Sequence, residues 1–106
     1  MEVKSPLGRI TIAPAAVAQI AERALAECYG VVGTPGRRLN LRGRGAITVD
    51  ESADGVELDL RVVVEHGLNL GEVASTVRSR VTYEIERLTG LPVASVDVHI
   101  ESVRTA

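Results

Sequence analysis

The stretch that most limits what this chain can fold into is residues 55–66, "GVELDLRVVVEH". Val56, Leu58, Leu60, Val62 and Val64 fall on one side of an extended chain, and Glu57, Asp59, Arg61 and Glu65 on the other, with Val63 alone out of step. A helical period would scatter those aliphatic side chains around the axis. A strand gathers them on one face and leaves the charges on a wet face. The fold must therefore cover one side of a sheet and leave the other side open.

Two segments have the stripe needed for that cover. Pro14 suits a first helical position, where its missing N–H costs nothing, and Val17, Ile20, Ala21, Ala24, Leu25 and Cys28 follow on one side. Gly30 is expected to close this helix in the left-handed conformation. In the second segment Asn69 is an N-cap with Glu72 in the capping-box position. Leu70, Val73, Val77, Val81, Ile85 and Leu88 form its stripe, and Gly90 before Leu91-Pro92 stops it near residue 89.

Three further runs read as strands. "GRITIA" (8–13) alternates, "AITVD" makes a hairpin with the 55–66 strand around "ESADG", and "ASVDVHIESV" turns Val96, Val98 and Ile100 inward. Residues 33–45, "GTPGRRLNLRGRG", read mostly as loop. The expected order is β-α-β-β-α-β. It gives an α+β two-layer sandwich, with two helices packed on one face of a mainly antiparallel sheet, over a single domain spanning residues 1–106.

The strand–glycine–helix junction "VVVEHGLNLGEV", the helix closing on "LTGLPV" and the final "VDVHI" strand resemble the alkaline shock protein family, the Gls-type envelope stress response proteins. The opening "GRITIAPAAVAQIAERALAECYGVVG" is similar to that family's start, so the resemblance covers nearly the whole chain. Where an aromatic commonly precedes the junction glycine, this sequence has His66. The resemblance implies a bacterial protein of envelope homeostasis without a membrane span, held in some members by a membrane-anchored partner. It implies no catalytic residues.

Composition narrows the function classes further. Hydrophobic residues make up 45% of the chain without one Trp or Phe, so the core must be aliphatic. A lone cysteine, Cys28, cannot form an internal disulfide and fits a reducing compartment. No apolar run approaches the roughly 20 residues of a membrane helix, and the N-terminus lacks a secretory h-region. A cytoplasmic protein is expected, peripheral to the membrane only through a partner.

Each chemical constellation has a simpler structural reading. Glu65 and His66 are adjacent on a strand, so their side chains diverge and no third group orients them. His66 and His99 could share a metal with Asp97, Glu101 or Glu65, but they lie in different strands without ligand spacing. Cys28 lies on an apolar stripe, where a thiol behaves as a small hydrophobe. The wet sheet face has Glu57, Asp59, Glu65, Asp97 and Glu101 and no aromatic, which disfavours nucleic acid there. "GTPG" at 33–36 precedes a strand-like stretch, not the second helix a KH module needs. No catalytic residue, metal ligand or cofactor is therefore assigned.

The remaining candidate is "GRRLNLRGRG", where Arg37, Arg38, Arg42 and Arg44 lie in a glycine-rich stretch without an acid. Against a formal net charge of −2, those four leave −2 − 4 = −6 for the rest of the chain. A basic loop on an acidic body can orient toward an anionic surface or partner. The expectation is a non-enzymatic interaction or scaffold module. It self-associates through open strand edges or the exposed sheet face, where Val63 interrupts the polar alternation, and docks on a membrane-anchored partner. The alternative is a nucleic-acid or anionic-ligand binder acting through loop 37–44.

Overall fold

The computed structural model describes residues 1–33 and 46–105. Its elements are β1 (Glu2–Ser5), β2 (Gly8–Thr11), α1 (Pro14–Ala26), β3 (Val31–Gly33), β4 (Ile47–Ser52), β5 (Gly55–Glu65), α2 (Leu70–Thr89) and β6 (Val93–Arg104). The expected two-layer α+β architecture is present, with two short strands, β1 and β3, in addition to the expected order.

The alternating run is the spine of the sheet. The Val56 N–H donates to Pro92 and that of His66 to Arg104, so the even-numbered groups of β5 face β6. The N–H groups of Arg61 and Glu65 donate to Ala46 and Gly30 on the opposite edge. β6 thus runs parallel along one edge of β5, while β4 and β3 share the other edge, both antiparallel. Two of the three pairings are antiparallel, as expected. The expected strand at 8–13 is placed differently: among the described residues β2 pairs only with β1, in a separate hairpin. The physical reason is visible in Ile10, which is 59% exposed, so that of the two isoleucines only Ile12 packs against the core.

The even-numbered side chains of β5 all reach the core, where Leu60, Val62 and Val64 are fully buried. Opposite them lie Val17, Ala21, Ala24 and Leu25 of α1 and Val73, Val77, Val81 and Ile85 of α2. Burying an aliphatic side chain of this size stabilises the fold by about 2 kcal/mol. Leu70 and Leu88, at the two ends of the expected α2 stripe, are instead exposed. Asn69 Oδ1 accepts the Glu72 N–H at 3.0 Å, and Gly90 ends α2 at φ 76°. The first helix ends earlier than expected, at Ala26 with Glu27 as its C-cap. Gly30, at φ 92°, instead turns the chain into β3, and a Cβ there would lie 2.8 Å from Leu68 Cδ1.

Candidate functional site

The strand–helix junction is a backbone device. The Glu65 N–H donates to Gly30 O at 2.8 Å on one edge of β5, and the His66 N–H to Arg104 O at 2.9 Å on the other. Gly67 follows at φ 98° in open space, so it serves the turn. Neither the Glu65 nor the His66 side chain takes part in a hydrogen bond or ion pair among the described residues.

His99 lies farther along the charged face, beside Arg61. Its Nε2 sits 3.1 Å from Asp59 Oδ1. The backbone of His66 meets that of Arg104, five residues beyond His99, or about 16 Å along a strand. The two histidines therefore do not converge. Among the described residues no group of three or more His, Cys, Asp or Glu side chains is placed to hold a metal.

That face is acidic with two cross-strand ties. Arg61 reaches Glu101 at 3.0 Å, and the bond from the guanidinium holds the Glu101 carboxyl below its usual pKa. Asp50 stands opposite Glu57, and Asp59 opposite Asp97. Like charges directly opposite are mildly destabilising. Asp97 has no ion pair among the described residues. Val63 is corrected here: it lies on this face yet is 1% exposed, flanked by Gly33 and Ser102 at two register irregularities. It offers no exposed contact for self-association.

The helical side has an open groove of about 640 Å³ between α1 and α2, with Ile20, Ala24 and Leu88 among its lining. Its charges are largely paired. Arg80 joins Glu27 at 2.6 Å, and Arg87 joins Glu84 at 2.7 Å while lying over the Tyr83 ring at 5.9 Å. Tyr29 and Tyr83, 77% and 60% exposed, line a second hollow next to it with Arg80 and Cys28. No pattern in the sequence marks this surface, because both tyrosines lie off the apolar stripes of the helices. Cys28 itself is buried and donates to Ala24 O at 3.3 Å. Burial raises its pKa, with Arg80 lowering it and Glu27 raising it as smaller influences.

Arg37, Arg38, Arg42 and Arg44 lie outside the described residues. The described surface thus comprises a charged sheet face, a free β6 edge and a helical groove of paired charges. These features define a small α+β domain that presents surfaces rather than an enclosed pocket.

The sequence pattern of the alkaline shock protein 23 family, with its cell envelope-related function, matches residues 2–105, and the chain belongs to that family. It is similar to the Bacillus subtilis protein YloU, with 28% identity over 115 residues, covering 98% of this chain and 95% of that one. YqhY of the same organism is 28% identical over 108 residues, covering 92% of this chain and 78% of the relative. Spy1614 of Streptococcus pyogenes is 22% identical over 114 residues, covering 98% and 94%. Among solved structures, a MamM CTD variant superposes with a TM-score of 0.55 at 15% identity, covering 83% of this chain and 93% of that chain. That likeness concerns the fold alone. Among the described residues no helix is long and apolar enough to cross a membrane.

Proposed function

We propose that this chain is a non-enzymatic interaction module of the bacterial cell envelope. In this reading it works on the cytoplasmic side, self-associates, and is held at the membrane by a partner protein. The observation that carries the reading is membership of a family with cell envelope-related function over residues 2–105. The geometry supports it from another side. The strongest catalytic candidate in the sequence, Glu65 with His66, is accounted for by backbone bonds to Gly30 and Arg104. Catalytic pairs need mutual reach and an orienting third group.

Arg37, Arg38, Arg42 and Arg44 are the proposed contact to an acidic partner, because a planar guanidinium can hold a carboxylate through two bonds. The test is a comparison in the native host of tagged wild-type protein and a variant with all four arginines changed to glutamate. Wild-type protein should fractionate with membranes and co-purify a membrane protein, in a manner weakened by salt. The variant should fold normally and lose both properties. Wild-type protein found wholly in the soluble fraction, without a membrane partner, would sink the reading. Unchanged behaviour of the variant would remove the arginines from it.

A further inference from the structure

We infer that two copies of this chain join along β6, antiparallel about a two-fold axis at Val98, to make one continuous sheet. This deepens the self-association in the function proposed above by naming its seam. The starting observation is a free edge. Among the described residues β6 pairs only with β5, and it is 12 residues long. Because the even-numbered groups of β5 bond to β6, the parallel register places the N–H and C=O of Ser95, Asp97 and His99 toward β5. The N–H and C=O of Val96, Val98 and Ile100 therefore point outward. An unpaired row of this kind is a template for another strand.

The other candidate edge is blocked. β4 spans only Ile47–Ser52, and its Glu51, registered with Val56, puts a carboxylate on the aliphatic face. An inward-pointing charge is a common guard against edge pairing. β6 has register irregularities near each end, one by Val93 and Ser95 and one by Ile100 and Ser102. Between them Ser95–Ile100 is regular and carries no inward charge.

Charge then separates the registers centred on Asp97, Val98 and His99, the middle of the regular stretch. Side chains must stay on their own face, so a symmetric antiparallel seam centres on a residue paired with itself. Centring on Asp97 sets two aspartates face to face. Centring on His99 sets Asp97 against Glu101 twice. Centring on Val98 brings Asp97 of each copy opposite His99 of the other, and supplies a base that Asp97 does not meet among the described residues. His99 already bonds Asp59 through Nε2, which leaves Nδ1 for the second copy. On the opposite face Val98 meets itself and Val96 meets Ile100. Val103, 42% exposed, comes opposite Val93. Val93, Val98 and Ile100 are only partly buried in one copy, so this row gains cover from the second.

The register is tested with single cysteines in a Cys28→Ser background. Asp97 and His99 of opposite copies form a non-hydrogen-bonded pair with Cα atoms about 4.5 Å apart, within disulfide range. Two copies of residue 97, or two of residue 99, are diagonal neighbours at roughly 8 Å, beyond it. Under a mild oxidant, a mixture of the Asp97→Cys and His99→Cys proteins should give a linked dimer, and neither protein alone should. In sedimentation the wild type should be a dimer. His99→Glu should weaken association roughly tenfold, and adding Asp97→Lys should restore it. Self-linking by either single variant, or no linking of the mixture while the wild type still sediments as an oligomer, overturns the seam and leaves self-association standing. A wild type that sediments only as monomer at micromolar concentration overturns both.

Discussion

Gly55→Ala tests the sheet at its tightest point. Gly55 opens β5 at φ 133°, directly after the hairpin turn in which Ser52 Oγ donates to its carbonyl at 3.2 Å. An alanine Cβ there would lie inside van der Waals contact with the Pro92 carbonyl oxygen and 2.9 Å from Pro92 C. That same oxygen accepts the Val56 N–H at 2.9 Å, the first rung between β5 and β6. Backbone meets backbone, so no side chain can swing away. The left-handed conformation alone costs an L-residue about 1–2 kcal/mol. Displacing the rung adds about 1 kcal/mol for a weakened backbone bond, so the total is roughly 2–4 kcal/mol. For a domain of about 100 residues that lowers Tm by roughly 10–25 °C. Gly67→Ala is the control, because Gly67 has φ 98° but nothing within 4 Å of its Cβ position. It should lose only the conformational part. Thermal and urea melts of the two variants measure the difference. Equal losses would mean that the close approach of Pro92 contributes nothing, and the argument for a tight first rung would fail.

Val77→Asp places a carboxylate at a fully buried position of α2 and should cost on the order of 3–5 kcal/mol, read as loss of the folded circular-dichroism signal near room temperature. Asn69→Ala removes the acceptor of the Glu72 N–H and should cost about 1 kcal/mol in a urea melt. Cys28 should resist thiol reagents in the native protein at neutral pH and label quickly once urea unfolds it. Because burial raises that thiol's pKa, the stability it contributes is complete below the unfolded value and is lost as pH climbs through the folded one. An alkaline stability curve on which Cys28→Ser does not flatten that fall would contradict the shift.

Most of the architecture was legible because its driving patterns are local. The period of two in residues 55–66 and the helical stripes, Val17 to Cys28 and Leu70 to Leu88, each name the face they bury. Both helices form on those stripes, although α1 stops at Ala26 and Leu70 and Leu88 stay exposed. Asn69 and Gly90 act through backbone geometry that one residue type strongly prefers, so they too could be read in advance. The misses come from pairings that leave no pattern. "EVKS" has no apolar face of its own and becomes β1 only by pairing with β2. β3 is three residues long, too short for any period to register. Val63 looked exposed because strand alternation assigns a face, and says nothing of how well that face is covered.

The same distinction governs the candidate site. Sequence could show that Glu65 and His66 diverge, since divergence follows from strand geometry alone. It could not show that Asp59 and His99, 40 residues apart, lie within bonding distance, because that depends on the parallel register of β5 and β6. That register has a larger consequence than the single contact. It decides which backbone groups of β6 are consumed inside the molecule and which face outward. Had β6 slipped by one residue along β5, Val96, Val98 and Ile100 would have moved to the charged face and the outward row would have belonged to Asp97 and His99. The aliphatic row on one side of the edge and the Asp97–His99 alternation on the other exist together only in the observed register. A surface built for a second copy is in this sense a product of the core, because the burial of Leu58, Leu60 and Val62 against the helices fixes the strand beside them and thereby the edge it presents.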